Sequence, residues 1–353
     1  MTSVEQLDAR ATRPSVPEPV LSVRDLSVEF STESGRVSAV DGVDLTLGAG
    51  EIVGVVGESG CGKSVTSMSL AGLLPDSARV TGSVLLHGTD RGDLELAGAR
   101  EPVLRRVRGR EIAYIFQEPM TSLNPVVSVG RQIAEVLRAH ENVSGREARE
   151  RAVDLLRLVG IPSPARRVDD FPHQLSGGMR QRVMIAMAVA CDPKVLVADE
   201  PTTALDVTVQ AGILEVLRDL RDRLGTSILF ITHDLGVIAD VADRVVVMYA
   251  GRVVESAPVD ELFARPRHRY TAGLMAASPR PGRHASTSRL DEIPGLVPVL
   301  SEQPDACTFA DRCPAADEQC RTRRPPLASP SATPSRHVAA CWHPVPTAPE
   351  KTR

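Results

Sequence analysis

Ile52-Val53-Gly54-Val55-Val56, followed at once by Gly57-Glu58-Ser59-Gly60-Cys61-Gly62-Lys63-Ser64, is the stretch that decides the fold. The first five residues form a short apolar run, typical of a strand buried on both faces. The next eight fit the pattern G-x-x-x-x-G-K-[S/T], and a segment of helical character, Val65–Leu74, follows them. A strand, a glycine-rich loop and a helix in this order predict a loop whose backbone N–H groups surround phosphate oxygens. In such a loop Lys63 supplies a cation to the outer phosphates, the Ser64 hydroxyl ligates magnesium, and the helix N terminus faces the same anion.

Two later runs are like this buried strand. Val195–Ala198 and Ile228–Ile231 are equally short and apolar, and helical stretches separate the three runs. This arrangement predicts an α/β fold, with helices on the faces of a parallel sheet. Val20–Phe30 and Val37–Leu47, by contrast, alternate between apolar and polar residues, which predicts half-buried antiparallel strands.

The middle of the chain, from about Leu94 to Gln174, is helical in character. Val129–Leu137 and Ala148–Val159 each keep one apolar face, and Gly160 is a stop signal for the second helix. Ser144 and Glu147 fit a capping box at the start of that helix. We therefore expect a helical insertion between strands of the sheet, over about residues 94–178.

Composition excludes several classes of protein. The chain has 353 residues, is 42% hydrophobic and 24% charged, and carries a formal net charge of −4. A slightly acidic balance does not support nucleic-acid binding, which usually shows a basic excess. The longest apolar run, Val183–Cys191, is far shorter than the ~20 residues of a membrane-spanning helix. Because Met1–Val20 also lacks an apolar signal-peptide core, we expect a soluble, cytosolic chain.

Two carboxylates follow the second buried run. Asp199 and Glu200 come directly after Val195–Ala198, at the point where the predicted strand ends. One carboxylate at that edge can hold a magnesium ion, and the next can polarise a water for in-line attack on a γ-phosphate. We assign Asp199 to the metal and Glu200 to the water; a solvated acidic turn is the alternative.

A second glycine-rich segment narrows the class. We call Leu175-Ser176-Gly177-Gly178-Met179-Arg180-Gln181 the signature segment. Ser-Gly-Gly at the start of a helix is another anion cradle, with free backbone donors and a favourable dipole. Since Gly57–Ser64, the phosphate loop, already provides one cradle, the second implies contact with another nucleotide. A head-to-tail dimer, in which each signature segment closes over the partner's nucleotide, gives both anion cradles a nucleotide to bind.

With these parts the sequence resembles ABC-type ATPase subunits over about residues 20–262. The resemblance implies a P-loop NTPase core with a mixed sheet, an antiparallel β-subdomain and a helical subdomain. It also implies ATP and Mg²⁺ as ligands. The residues that match the family's motifs are Phe30 (stacking on adenine), Gly57–Ser64 with Val65 (phosphates), Gln117 (magnesium and γ-phosphate), Ser176, Gly177, Gly178 and Gln181 (signature), Asp199 and Glu200 (metal and base), Asp206 (dimer-coupling loop) and His233 (γ-phosphate switch).

Several classes of protein contain an ATPase domain of this kind, and the spacing of the motifs and the number of domains help to choose between the classes. Repair and chromosome ATPases of the family carry coiled-coil or zinc insertions, whereas 110 residues separate Ser64 from Leu175 here. Translation factors usually carry two cassettes and exporters often include membrane spans. The single cassette without membrane spans favours a subunit that docks on separate membrane proteins. In that arrangement Gln117 and the helical insertion receive cytoplasmic helices of the membrane proteins. A soluble regulatory or repair ATPase remains the alternative.

The C-terminal region is similar to that of dipeptide/oligopeptide importers. The matching segments are Gln117–Pro125, Arg265–Met275, Ile293–Pro298 and Cys307–Pro314. The resemblance implies a peripheral subunit on the cytoplasmic face of the membrane. Its implied partners are a second ABC ATPase subunit, two permease subunits and, indirectly, an extracytoplasmic peptide-binding protein, with no nucleic acid. Nickel or another small solute remains an alternative cargo.

The last quarter of the chain is unusual in composition. Of the 27 prolines, 14 lie from Ala264 onward, together with four of the six cysteines, Cys307, Cys313, Cys320 and Cys341. Four thiolates in a segment that can form little hydrophobic core suggest that a bound metal ion or cluster stabilises it. The spacers lack the paired C-x₂₋₄-C knuckles typical of zinc, whereas a [4Fe–4S] cluster tolerates looser spacing, and the resembled extension can carry one. Zinc and free structural thiols remain the alternatives, and Cys61 and Cys191 are predicted to be ordinary reduced thiols.

These observations divide the chain as follows. We expect a disordered tail at 1–17, an ABC ATPase domain at 18–262 that includes the helical subdomain, a linker and closing helix at 263–292, a Cys-rich extension at 293–345 and a tail at 346–353.

Overall fold

The computed structural model describes residues 17–33, 35–117, 122–203, 205–278, 292–329 and 336–346. Parts of the predicted tails (1–16 and 347–353), of the predicted linker (279–291) and of the Gln117–Pro125 segment (118–121) lie outside the described residues. The strands are β1 (Pro19–Thr32), β2 (Gly35–Gly48), β3 (Ile52–Val56), β4 (Ala78–Thr89), β5 (Gly92–Glu95), β6 (Ile112–Ile115), β7 (Val195–Asp199), β8 (Ser227–Ile231), β9 (Arg244–Tyr249), β10 (Arg252–Pro258) and β11 (Val338–Ala339).

Eleven helices accompany these eleven strands in the described residues. They are α1 (Lys63–Leu70), α2 (Glu101–Val107), α3 (Val129–His140), α4 (Gly145–Leu158), α5 (Pro164–Arg167), α6 (Gly177–Ala188), α7 (Val207–Leu224), α8 (Leu235–Val241), α9 (Val259–Ala264), α10 (Arg269–Ala277) and α11 (Glu318–Thr322). Two 3₁₀ turns, Pro172–Gln174 and Ala310–Arg312, complete the described structure. Across these ranges, no helix combines the length and the apolar character needed to span a membrane.

The larger sheet positions the site. Its seven strands run in the order β11-β10-β9-β3-β8-β7-β6, with β9, β3, β8, β7 and β6 parallel and with β10 and β11 antiparallel at one edge. The three predicted apolar runs are confirmed as β3, β7 and β8, and every residue in them is buried. Since these strands are parallel neighbours, the residues after their carboxyl ends meet at one edge of the sheet.

The smaller sheet confirms the predicted alternating strands. It has the order β2-β1-β4-β5, and all its neighbouring strands are antiparallel. One face is apolar, with Leu21, Val23, Val43 and Leu45 buried in a core that also contains residues of β3. This sheet therefore packs beside the phosphate loop.

The region between the phosphate loop and the signature segment contains the expected helices. Ser144 caps α4 by accepting a hydrogen bond from the Glu147 N–H at 3.2 Å, and Gly160 follows the helix with φ of 74°. Within the region predicted to be helical in character, Ile112–Ile115 instead forms β6 and pairs in parallel with β7. Four consecutive apolar residues lack a period that separates a strand from a helix, so only pairing in the sheet identifies this one.

The C-terminal extension closes onto the larger sheet. Its strand β11 pairs with β10 at Glu255 and Ser256. Glu255 is fully buried and accepts hydrogen bonds from the backbone N–H groups of Arg267 and His268, and its carboxylate lies 2.6 Å from His337 Nε2. A buried carboxylate needs such partners, so this residue ties the extension and α10 to the sheet.

Candidate functional site

The phosphate loop has the backbone that its glycines allow. Gly57 has φ of 154° and Gly62 has φ of 99°, both unfavourable for residues with a Cβ. A Cβ would lie 2.3 Å from the Met248 carbonyl oxygen at Gly57 and 2.6 Å from the Ala39 carbonyl oxygen at Gly62. The loop therefore needs glycine at both positions, for conformation and for space.

Lys63 lies at the centre of this loop. Its side chain is buried, and its Nζ donates to the carbonyl oxygens of Gly57 at 2.8 Å and of Glu58 at 3.0 Å. Neutral carbonyls stabilise a buried cation less than an anion does. The arrangement therefore suits an incoming phosphate.

Cys61, between the glycines, is fully buried. Burial raises the pKa of its thiol. Because the thiolate is the reactive form, burial disfavours reaction at this thiol, and an ordinary reduced thiol stays the prediction for Cys61.

Asp199 ends β7 beside the phosphate loop. Tyr114 donates to its Oδ2 at 3.1 Å, and the Tyr114 hydroxyl lies 2.6 Å from Ser67 Oγ on α1. Burial raises the pKa of Asp199, and the hydroxyls of Ser64 and Tyr114 oppose that rise. Its Oδ1 is buried without a hydrogen-bond partner. A buried carboxylate oxygen left open next to a serine hydroxyl fits the oxygen ligands that Mg²⁺ prefers.

Glu200 contacts two of the predicted side chains, Gln117 and His233, and also Thr203. Its Oε2 accepts from Gln117 Nε2 at 3.0 Å and from the Thr203 hydroxyl at 2.9 Å, while its Oε1 lies 3.2 Å from His233 Nδ1. Partial burial raises the pKa of Glu200, but the contacts with Thr203 and His233 and the charge of Lys63 outweigh it, so the pKa is lowered. The carboxyl group is therefore ionised at neutral pH and held in place.

The left-handed backbone of Glu200, with φ of 49°, is unusual for a residue with a side chain. Such a conformation has an energetic cost and is found most often at functional sites. It turns the carboxylate toward Gln117 and His233 at the edge of the sheet.

The signature segment and Asp206 lie on other elements. Ser176 caps α6 by accepting from the Met179 N–H at 3.3 Å, and Asp206 caps α7 by accepting from the Val209 N–H at 2.9 Å. Gly178 packs against the Val209 side chain, so the two helix starts touch. Among the described residues, no hydrogen bond joins either cap to the phosphate loop of the same chain.

Two other predicted residues are partly or wholly enclosed. Phe30 is half-buried on β1, where it lies opposite Val37 of β2 and Ala78 of β4. Gln181 on α6 is 1% exposed, and its Oε1 has no hydrogen-bond partner. The structure thus gathers the phosphate loop, Asp199, Glu200, Gln117 and His233, and leaves the signature segment on a separate surface.

Sequence reasoning missed three residues that support this site. Tyr114 lies in the unrecognised strand β6, and Tyr270 on α10 accepts from the Glu58 N–H at 2.8 Å. Arg312, between two of the C-terminal cysteines, forms an ion pair with Glu58. For Arg312 the only sequence signal was its place between Cys307 and Cys313.

The four C-terminal cysteines converge. Cys307, Cys313, Cys320 and Cys341 line one small cavity together with aromatic residues that include Phe309 and Trp342, and we call it the cysteine cavity. Burial raises the pKa of Cys307 to about 11. The four thiols are not grouped within 4.8 Å of one another, whereas Asp317, Cys320 and His343 do form such a group.

This fold and the phosphate site define an ABC-type ATPase, and comparison with known proteins agrees. The ABC transporter family model matches residues 40–203, and that of the oligopeptide/dipeptide transporter C-terminal region matches residues 254–320. A dimeric structure of the bacterial ABC transporter cassette MJ0796 is 27% identical with a TM-score of 0.59, and it covers 68% of this chain and 98% of that one.

Curated relatives specify the family further. A probable peptide ABC transporter ATP-binding protein of Sinorhizobium fredii, y4tR, is 54% identical over 92% of this chain and 94% of its own length. A protein of Brucella melitensis, named as a peptide import ATP-binding protein, is 51% identical over 88% of this chain and 94% of its own. The chain belongs to the family of peptide ABC transporter ATP-binding proteins.

Proposed function

We propose that this chain is the ATP-hydrolysing subunit of an importer of dipeptides or oligopeptides. The observation that carries the proposal is the carboxylate of Glu200, held by Gln117, Thr203 and His233 next to Asp199 and the phosphate loop. That arrangement supplies an ionised base beside a polyphosphate cradle, as phosphoryl transfer to water requires. The C-terminal family match and the names of the relatives support peptide as the cargo.

The chemistry follows from the residues in order. The phosphate loop and Lys63 bind the outer phosphates of ATP, and Glu200 accepts a proton from the attacking water while His233 orients the γ-phosphate. Ser64, Asp199 and Gln117 would hold magnesium. When bound, the ion neutralises charge on the β- and γ-phosphate oxygens.

Ser176 and Gly177, the exposed part of the signature segment, act with Asp206 in a pair of subunits. The start of α6 offers free N–H groups on a surface apart from the chain's own phosphate loop, which suits a nucleotide held by a second subunit. Two copies, or one copy and a paralogue, would then enclose two ATP molecules, with Phe30 stacking on adenine and Gln181 supporting the signature segment. Closing and reopening of the pair would drive the membrane subunits.

An apolar cavity supports docking on permease subunits at the cytoplasmic face of the membrane. It measures about 450 Å³ and lies between the larger sheet and the helical region. Its lining includes Phe116, which is 42% exposed, with Val136 and Met187. A cytoplasmic helix of a permease, with an apolar face, would fill it.

Removing the Phe116 ring tests this docking. We expect Phe116→Ser to lower ATP-driven uptake of labelled peptide by about tenfold, the usual scale for losing a central aromatic contact. ATP affinity of the isolated subunit should stay unchanged. The matched control is Leu296→Ser, which removes an apolar side chain that is 88% exposed on the extension. Equal uptake by Phe116→Ser and wild type would contradict the docking site, and uptake of nickel but not peptide would change the cargo.

We also propose that the cysteine cavity holds a [4Fe–4S] cluster. Zinc bound by four cysteines at about 2.3 Å brings all four sulfurs to within roughly 4 Å of one another, and these four thiols do not form a group even within 4.8 Å. A [4Fe–4S] cluster is also bound by four thiolates but holds them farther apart. A zinc ion at Asp317, Cys320 and His343 is the second candidate, because these three ligand atoms already lie within 4.8 Å.

Metal analysis separates the two candidates. An anaerobic preparation is expected to be brown and to contain about four iron and four sulfide per chain. Cys313→Ser should lose the iron, since Cys313 belongs only to the four-cysteine set, while His343→Ala should keep it. The opposite result would be a preparation that contains zinc and no iron, with the zinc lost in His343→Ala but kept in Cys313→Ser. That result would overturn the cluster in favour of a zinc site.

A further inference from the structure

Arg312 of the C-terminal extension reaches back to the phosphate loop. Its Nη1 donates to Glu58 Oε2 at 2.7 Å, and its Nη2 donates to Glu58 Oε1 at 3.0 Å. The arginine side chain is 7% exposed and the glutamate side chain 29%. A two-pronged, partly buried pair of this kind is stronger and more directional than an ion pair in water.

The guanidinium group is itself fixed in place. Its Nε donates to the Pro294 carbonyl oxygen at 2.7 Å, and its Nη2 also donates to the Ile293 carbonyl oxygen at 3.2 Å. Its carbon lies 5.7 Å from the centre of the Tyr249 ring and 6.0 Å from that of Phe309. The extension therefore determines where the Glu58 carboxylate sits.

A second contact fixes the backbone of the same residue. The Glu58 N–H donates to the Tyr270 hydroxyl at 2.8 Å, and Tyr270 is fully buried on α10. The rings of Tyr270, Tyr249 and Phe309 pack against one another with centres 4.7–5.4 Å apart. Both the main chain and the side chain of Glu58 are thus held by residues outside the loop.

The charge of Glu58 makes this contact relevant to the nucleotide. Glu58 lies within the loop that receives a polyphosphate, and its carbonyl oxygen accepts a hydrogen bond from Lys63 Nζ at 3.0 Å. An unpaired carboxylate so close to the binding site opposes a multiply charged anion, because like charges in a partly buried site are poorly screened. Arg312 supplies the matching positive charge.

We propose that Arg312 is a positioning residue for ATP binding: it neutralises Glu58 and holds it away from the phosphates, so the C-terminal extension sets the nucleotide affinity of the phosphate loop. This inference rests on the proposed function of the loop as an ATP site. It assigns to the extension a role that its cysteines do not by themselves indicate.

A charge-rescue experiment tests it on the full chain. Arg312→Gln leaves Glu58 unpaired and is expected to raise the KM and the Kd for Mg-ATP about tenfold, with kcat within twofold of wild type. Arg312→Gln combined with Glu58→Gln removes the repulsion as well and is expected to bring both constants back to within threefold of wild type. ATP binding is measured by titration calorimetry and turnover by phosphate release.

Controls separate this role from a structural one. Arg321→Gln breaks an exposed ion pair with Asp311 in the same extension and should leave Kd and KM unchanged. A lower Tm in Arg312→Gln with an unaltered Kd would overturn the proposal, and so would a double variant as impaired as Arg312→Gln alone. If Lys63→Ala binds ATP like wild type, the ATP site itself is misplaced, which is a different failure.

Discussion

Glu200→Gln is expected to bind ATP normally and to hydrolyse it at a rate about 10²–10⁴-fold lower, the usual contribution of a positioned general base. The substitution keeps the shape of the side chain and can still accept the Thr203 hydrogen bond, but an amide cannot take a proton from water. Because the pKa of Glu200 is lowered, the wild-type group is ionised near neutral pH, and turnover should fall as acid protonates it. Phosphate release under steady-state conditions measures the rate.

A matched variant and a second observable sharpen this test. Glu215→Gln makes the same chemical change at an exposed position on α7 and should hydrolyse ATP like wild type. With ATP and magnesium, Glu200→Gln should accumulate as a dimer in size-exclusion chromatography, because the closed pair cannot reopen by hydrolysis. Turnover within twofold of wild type would remove Glu200 from its assigned role as the base.

Lys63→Ala is expected to weaken ATP binding by about 100-fold, which corresponds to roughly 2.7 kcal/mol. The lysine is a buried cation whose present partners are the neutral carbonyls of Gly57 and Glu58. Removing it deletes the positive charge that the outer phosphates meet, so binding and turnover fall together. Titration calorimetry with Mg-ATP measures the change in affinity.

Lys194 provides the matched control for this prediction. It pairs with Glu111 at 3.3 Å and is partly exposed, so Lys194→Ala removes an ammonium group of the same kind without touching the phosphate loop. Its ATP affinity should equal that of wild type. If Lys63→Ala bound ATP within threefold of wild type, Lys63 would not be the residue that binds the outer phosphates.

Local sequence patterns were enough to predict which strands and loops surround the phosphate site. The phosphate loop, Asp199 and Glu200 each follow a buried strand, and the parallel order of the strands is enough to bring their ends together. Gln117 and His233 were assigned by resemblance alone, and the structure places both beside Glu200. Here sequence order and spacing carried the information.

Contacts between segments that are distant in the sequence could not be predicted from local patterns. Arg312 and Tyr270 touch Glu58 across 254 and 212 positions of sequence, and neither belongs to a periodic pattern or a motif with a known phosphate role. Strand β6 was missed because four consecutive apolar residues carry no period that distinguishes a strand from a helix. What sequence reasoning lacked was the packing of the extension on the ATPase sheet, which depends on the fold as a whole.

The ion pair between Glu58 and Arg312 also bears on how the protein is made. Synthesis proceeds from the amino end, and amino-terminal segments fold first, so the phosphate loop emerges 254 residues before its arginine. Strand β11, which completes the edge of the larger sheet, emerges later still. If Arg312 sets the affinity of the loop, a chain on the ribosome that does not yet include Arg312 binds ATP weakly, and the nucleotide site matures only when the extension has been made and has folded onto the sheet.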